Sequence, residues 1–407
     1  MTSIAEQQPP NSIESASALS SALTVPKGLG SSAFTLPERF SSRESYSARS
    51  QSGSVVDDPN TLCDSGNTCR PRMVPQYAEP PCLNREWGDG SASPLYCPPP
   101  DRDDDRLAAE VDDRLIAWAS GLGLTEQDAE DLRRIGFGRL IMLTHTDCDD
   151  PDRLLLAAQM DTAWWMADDL FADDTARGAI PEELGPRLSL VMAAMDPQPE
   201  MGEFSPPLDD ALAGHLVFRA FESAVAHLNR HATPAQTHRA CYATAAMFVS
   251  WNAYSSWRQS ERTIPAWQYL AARQNDSFYT SMTLIDPVAG YRLPDEIFYR
   301  TRVRHEAFRA GTAAVLVNDL MSVDRDAADE IPVCNMVLQV AAERGCSLSE
   351  ATEIVVDLHN RVVRDFEAER LAMRMAGSPP ELQLYLRGLR SWMAGSFEWH
   401  NTNPRYR

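Results

Sequence analysis

From about Asp103 to the end of the chain, apolar residues recur at helical spacing, with scarce strand-like alternation and short connections marked by Pro or Gly. This pattern restricts the chain to an all-α fold, because a stripe of period 3.6 buries its apolar side against other helices. The stretch from Leu107 to Ala119 is the first example, with acidic residues early in it. Pro151-Asp152-Arg153 opens another, since proline is tolerated in a first helical turn, and it runs on through Trp164-Trp165. Further helices are expected near 208–230, 234–258, 265–284, 300–323, 332–344, 348–376 and 380–399. No repeat of 20–50 residues is present. The expected architecture is a bundle of roughly ten or more helices.

Residues 1 to about 95 have a different character. They are rich in Ser, Pro, Gly, Asn and Gln and lack any sustained period. Such a composition buries too little apolar surface to offset the entropy of ordering, so a largely disordered extension is expected over 1–95, followed by one helical domain over 96–407. The island Pro94-Leu95-Tyr96-Cys97-Pro98-Pro99-Pro100 is a candidate to dock on that domain.

The net charge of −21 argues against a nucleic-acid partner, which needs a basic face. A negative protein that handles a negative ligand must neutralise it locally, and metal ions do this better than a basic surface. The N-terminus lacks a basic and apolar leader, and no apolar run approaches a membrane span of about 20 residues, so a cytoplasmic protein without a membrane segment is expected. The eight cysteines include no CxxC pair, and Cys63, Cys69, Cys82 and Cys97 have irregular spacings and no nearby His. Reduced thiols are expected rather than a zinc site. His145, His238 and His400 also lack zinc spacing and read as structural or surface residues.

The chemistry concentrates in two acidic and polar clusters, Asp168 to Asp174 and Asn318 to Asp326. At roughly 100° per residue, Asn318, Ser322 and Asp326 fall at about 0°, 40° and 80°, with Arg325 beside them at about −20°. An amide oxygen, a hydroxyl and a carboxylate on one ridge form a hard-oxygen site suited to Mg²⁺ with water and phosphate. The adjacent guanidinium is shaped to grip the same phosphate. Asp168 follows a strongly apolar helical segment, where a carboxylate is costly without a cation. Asp168 is therefore the leading metal ligand of the first cluster. Asp169, Asp173 and Asp174 lie about 100° or more away around an ideal helix.

Together these clusters resemble those of the class I terpene synthases. Asn318-Asp319-x-x-Ser322-x-x-x-Asp326 fits that family's second metal motif, with Asp326 where the pattern usually has the longer Glu. Asp168 to Asp174 matches its aspartate-rich motif, and Arg273 stands at the family's spacing for a diphosphate-sensing arginine. Asp276 and Ser277 then occupy the helix-break linker and effector positions, and Arg405-Tyr406 the C-terminal diphosphate-gripping pair. Within the family, the extension, the Pro-Leu-Tyr-Cys-Pro-Pro stretch and Phe137 to His145 resemble bacterial 2-methylisoborneol and 2-methylenebornane synthases. Leu170, Phe171 and Ala172 depart from the Cys- and Tyr-containing spacers of that group.

The resemblance implies a Mg²⁺-dependent, diphosphate-releasing cyclase. Asp168, Asp169, Asn318, Ser322 and Asp326 would hold a cluster of three Mg²⁺ ions. Arg273, Arg325, Arg405 and Tyr406 would bind the diphosphate, with Arg273, Asp276 and Ser277 triggering ionisation. The implied substrate is 2-methylgeranyl diphosphate, closing to 2-methylisoborneol by water capture or to 2-methylenebornane by proton loss. A C10 or C15 cyclase using geranyl or farnesyl diphosphate is the alternative. A head-to-tail prenyltransferase would carry two Asp-Asp-x-x-Asp motifs, which the second cluster does not. The resemblance also allows a homodimer, although no interface is legible. Trp164, Trp165, Trp257, Phe278, Trp392 and Trp399 are candidates to line a cation-stabilising cavity, though plain core packing competes for each.

Overall fold

The structure, a computed structural model, describes residues 79–173, 179–260, 264–328 and 335–406. Among these residues there are sixteen α-helices and one small β-ribbon. In the ribbon, β1 (Leu83–Arg85) runs antiparallel to β2 (Leu95–Cys97), with Leu83 opposite Cys97. The first helices are α1 (Asp105–Gly121), α2 (Glu126–Ile135), α3 (Phe137–Thr144) and α4 (Pro151–Ala167), and α4 runs directly into a π-helical turn, Asp168–Asp173. Next come α5 (Leu184–Met195), α6 (Ser205–Gly214), α7 (Leu216–His231), α8 (Pro234–Gln259) and α9 (Ala266–Asn275). Three short helices, α10 (Tyr279–Met282), α11 (Ile285–Ala289) and α12 (Asp295–Phe298), lead into the long α13 (Thr301–Asp326). The chain closes with α14 (Met336–Arg344), α15 (Leu348–Met375) and α16 (Pro380–Thr402). Among the described residues no helix is long and apolar enough to cross a membrane.

Local chemistry explains the main boundaries. Asp150 caps α4 with Pro151 in its first turn, and Thr233 with Gln236 and Ser347 with Glu350 form capping boxes for α8 and α15. The expected helix over 208–230 is instead two. His215 is extended at φ −120° and ψ 130°, and its Nδ1 accepts from the Val217 backbone N–H at 3.3 Å, so it ends α6 and caps α7. The stretch 265–284 is likewise broken, between Asn275 and Tyr279. Helix α5 falls outside the expected stretches because Gly185-Pro186 interrupts its periodic pattern.

Helix α13 is the axis of the core. It packs on α15 and α16, and Val303, Ala307, Ala310, Ala314 and Val317 are buried along it. Gly311 makes room for the broken segment. A Cβ there would stand 2.8 Å from Ser277 Oγ and 2.9 Å from the Tyr279 backbone N, so the break rests directly on the α13 backbone. Gly395 plays a similar part where α16 meets α3, since a Cβ would stand 2.6 Å from Leu143 O.

The ribbon packs on the helical body. Leu95 and Cys97 are buried, and Asn360 on α15 accepts from the Tyr96 N–H at 2.6 Å while donating to Pro94 O at 3.1 Å. Arg390 donates to Pro80 O at 2.6 Å, Arg85 pairs with Glu398, and Arg370 pairs with Glu79. The composition boundary near residue 95 therefore falls inside a docked segment, which packs against α15 and α16. Cys82, Cys97, Cys241 and Cys346 are free thiols. Cys63, Cys69 and Cys334 lie outside the described residues.

Deleting residues 1–78 is expected to leave the urea midpoint unchanged, whereas deleting 1–101 should cost about 3 kcal/mol through lost burial of residues such as Leu95 and Cys97. Equal midpoints for the two truncations would show that the ribbon adds no stability.

Candidate active site

A cavity of about 240 Å³ opens among α3, α4, α8, α9, α13 and α16. Most of its charged residues come from helix C-terminal ends: Asp168 and Asp169 after α4, Arg258 on α8, Arg273 on α9, and Arg325 and Asp326 on α13. Helix C-termini carry partial negative charge, which favours cations, whether guanidinium groups or metal ions. Phe137, Leu140, Trp164, Trp165, Met247, Phe278, Val315 and Trp399 form an apolar lining. Trp257 and Trp392 are buried but absent from that lining. Trp392 packs at a tilt against Phe278 at 5.7 Å and Trp257 against Tyr254 at 5.7 Å, so both serve as packing.

The π-helical turn alters the geometry of the first cluster. A π-turn closes i to i+5 and takes more residues per revolution than an α-helix, so adjacent side chains are splayed less. Both Asp168 and Asp169 consequently line the cavity. The side chain of Asp173, and Asp174 altogether, lie outside the described residues. Arg258 was not anticipated from sequence. It lines the cavity beside the turn and donates to Ala172 O within it at 3.4 Å.

Arg273 joins three of the cavity's elements. Its Nε and Nη2 donate to Asp319 Oδ1 at 3.1 and 2.6 Å, its Nη1 to Asp276 Oδ2 at 2.7 Å, and Nη2 also to Asn318 Oδ1 at 3.1 Å. Burial alone would lower the Arg273 guanidinium, but the facing carboxylates of Asp319 and Asp276 outweigh it and hold it well above its ordinary value. Burial pushes the Asp319 carboxyl up, while Arg273 and the Met336 N–H, donating at 2.9 Å, oppose that push. With a permanently charged guanidinium at 2.6 Å, the pair is a buried salt bridge. Asp276 Oδ1 also accepts from Trp251 Nε1 at 2.9 Å. Ser277 Oγ donates to Gln274 O at 2.9 Å and accepts from the Tyr279 N–H at 3.2 Å, closing the break. Arg273, Asp276, Ser277 and Asn318 are thus assembled in one place.

On α13, the ridge of Asn318, Ser322 and Asp326 lies on one face. Ser322 Oγ donates to Asp326 Oδ2 at 2.5 Å, and Asn335 Nδ2 donates to the same oxygen at 2.9 Å. Arg325 donates to Asp326 Oδ1 through Nε at 3.1 Å and Nη2 at 2.9 Å. Asn318 and Asp326 line the cavity, whereas Ser322 is buried behind them. The Asn318 amide is held in a defined orientation. Its Nδ2 meets Tyr406 Oη at 3.1 Å and His400 Nε2 at 3.2 Å, leaving Oδ1 on the Arg273 side. Burial lowers His400 to about 4, against the bond to Ser396 O, so the ring is neutral; its Nδ1 donates to Ser396 O at 2.7 Å and Nε2 accepts from Asn318. Tyr406 also packs its ring 4.7 Å from His400 and 5.8 Å from the Arg325 guanidinium carbon. The Arg405 backbone belongs to the closing 3₁₀ turn, but its side chain lies outside the described residues.

The donor chemistry fits a hard divalent cation. Carboxylate, amide and hydroxyl oxygens face the cavity or stand immediately behind it, and the Asp326 carboxylate already recruits a guanidinium. Among the described residues no three His, Cys, Asp or Glu side chains converge as a metal group. That agrees with a mixed set of oxygen donors that includes Asn and Ser. Sequence alone assigns no site role to Asn335 or Arg258, shows Asp319 only as a member of the second cluster, and reads His400 as structural. Asp319 could have been found, since it is a lone charge between Leu316 and Leu320 on an apolar part of α13, where only a buried partner makes it tolerable.

Asp319→Ala is expected to cost about 3–5 kcal/mol in urea unfolding, because it leaves the buried Arg273 short of its main partner. A loss below about 1 kcal/mol would show that the pair does not tie α9 to α13.

Comparison with known proteins agrees with this geometry. Residues 162–365 match the family described as terpene synthase family 2, C-terminal metal binding. The chain is 34% identical over 315 residues to 2-methylisoborneol synthase of Saccharopolyspora erythraea, covering 77% of this chain and 89% of that one. Against the 2-methylisoborneol synthase of Streptomyces griseus it is 31% identical, with 82% and 76% covered. The crystal structure of 2-methylisoborneol synthase from Streptomyces coelicolor in complex with Mg²⁺ and 2-fluoroneryl diphosphate superposes with a TM-score of 0.74 at 30% identity, covering 78% of this chain and 98% of that one. The all-α fold, the C-terminal ends gathered around one cavity and these relatives place the chain in the class I terpene synthases, enzymes that release diphosphate from prenyl diphosphates.

Proposed function

We propose that the protein cyclises 2-methylgeranyl diphosphate to a C11 bicyclic product of the 2-methylisoborneol type, using Mg²⁺. The observation that carries this reading is the cavity's division between a polar rim of Asp168, Asp169, Arg273, Asn318, Arg325, Asp326 and Tyr406 and an apolar lining rich in Trp and Phe. Resemblance to synthases of known product supplies the substrate class.

Mg²⁺ held by Asp168 and Asp169 on one wall and by Asn318, Ser322 and Asp326 on the other, as a cluster of three ions, would supply Lewis-acid neutralisation of the leaving diphosphate. The protein's own groups complete the site. Arg273, Arg325, Tyr406 and the C-terminal Arg405 donate hydrogen bonds to the diphosphate oxygens and favour the charge that develops as the allylic bond ionises. Arg273 holds Asp319, Asp276 and Asn318 before substrate arrives. A diphosphate that drew Nη2 away from Asn318 would free the amide oxygen and pull on the Asp276–Ser277 break. Ser277, in the effector position, sits on Gly311, so this movement passes directly to the α13 backbone. Ring faces of Trp164, Trp165, Trp251, Phe278 and Trp399 stabilise the cation and exclude water from it.

Incubation of the full chain with Mg²⁺ and, separately, 2-methylgeranyl, geranyl and farnesyl diphosphate, read by gas chromatography–mass spectrometry, should give a dominant C11 bicyclic product from the first. Preference for geranyl or farnesyl diphosphate would replace the C11 reading with a C10 or C15 one. Asn318→Ala is expected to lower turnover by about 10²–10³-fold with unchanged helicity, as for loss of one preorganised charge-stabilising group. Near-full activity would remove Asn318 from the site.

A further inference from the structure

One charged group, Asp161, stands in the apolar part of the cavity. Asp161 lies seven residues before Asp168 on α4, which at about 1.5 Å per residue sets it roughly 10 Å along the helix from the polar rim. It lines the cavity and is 7% exposed. Ser281 on α10 donates to Asp161 Oδ1 at 2.5 Å, while Oδ2 is buried without a hydrogen-bond partner. Thr280, next to Ser281, also lines the cavity and is 1% exposed, and its Oγ1 is likewise without a partner. Two orphaned polar atoms in one cavity are costly in dry surroundings, and a water is held where at least two polar partners can meet it.

Building on the cyclase reading, we infer that Asp161 and Thr280 hold one water molecule at the apolar end of the cavity and that Asp161 takes its proton as it adds to the final carbocation. In that step a water lone pair forms the C–O bond and one water O–H bond breaks. The proton passes to Asp161 Oδ2, leaving a neutral alcohol and a neutral carboxylic acid. The cation's positive charge and the carboxylate's negative charge cancel, so no further reactant is needed. Burial pushes the Asp161 carboxyl up to about 7, against the bond from Ser281, which suits a group that must hold and then release a proton near neutrality. Ser281 is a positioning residue: it ties Oδ1 and leaves Oδ2 for the water. The arrangement selects alcohol over alkene as the end of the reaction.

The test compares full-length wild type, Asp161→Asn, Thr280→Val and Thr280→Ser in H₂¹⁸O, on whichever prenyl diphosphate the wild type turns over. Product identity, ¹⁸O content and the alcohol-to-hydrocarbon ratio are read by mass spectrometry. Wild type should give an ¹⁸O-labelled alcohol. Asp161→Asn and Thr280→Val should each lower the alcohol-to-hydrocarbon ratio by about tenfold or more, and Thr280→Ser should restore it. An unchanged ratio in either Asp161→Asn or Thr280→Val would overturn the inference, as would a wild type that makes only hydrocarbon. Preference for a substrate other than 2-methylgeranyl diphosphate would change the substrate reading alone, because the ratio is measured on that substrate's own products.

Discussion

The buried ion pair between Arg273 and Asp319 is the interaction on which the rest of the site depends. Asp319 is fully buried on α13, and its carboxylate accepts from Arg273, from Tyr269 Oη at 3.3 Å and from the Met336 N–H. It thereby joins α9, α13 and the start of α14 through one carboxylate. A charge so placed is tolerable only because its partner is also fixed and its other lone pairs are filled. The same guanidinium reaches Asp276 in the helix break and Asn318 on the α13 ridge. Binding chemistry and the broken segment therefore share one cation, and whatever competes for Arg273 acts on both.

Around that pair the molecule separates two environments. Helix C-termini bring acidic and basic side chains to one rim of the cavity, where their partial negative charge suits cations. The remaining wall is aromatic and aliphatic. A diphosphate must be neutralised at the first, and an allylic cation must be shielded from water at the second. Tyr406 bridges Asn318 and the Arg325 face from the chain's last turn, so the C-terminal segment forms part of the rim. Asp161 is an exception within the apolar part, and an unsatisfied carboxylate oxygen there marks a place where polarity is wanted.

The sequence makes the α13 ridge legible because an i, i+4, i+8 pattern of oxygen side chains is a local property of one helix. The all-α class was legible for the same reason. Arg273, Asp276 and Ser277 stood out only through resemblance, since nothing local distinguishes them. What escaped depends on contacts far apart in the chain. His400 reads as a structural residue until α16 brings it against Asn318, and nothing local singles out Asn335, which reaches Asp326 and the Asp319 carbonyl. The π-turn that carries both Asp168 and Asp169 into the cavity cannot be seen in an ideal-helix projection. Trp257 and Trp392 turn out to be core packing, the reading that competed for each aromatic, because apolar periodicity alone does not separate residues that line a cavity from those that fill a core.

The most direct measurement is an anomalous-scattering map from crystals of the full chain grown with Mn²⁺ and inorganic pyrophosphate. The expected result is metal density bridging the Asp168–Asp169 turn and the Asn318, Ser322 and Asp326 ridge through the pyrophosphate, with Arg273 donating to a phosphate oxygen. Metal bound away from both walls, or pyrophosphate bound with Arg273 still on Asn318, would contradict the account.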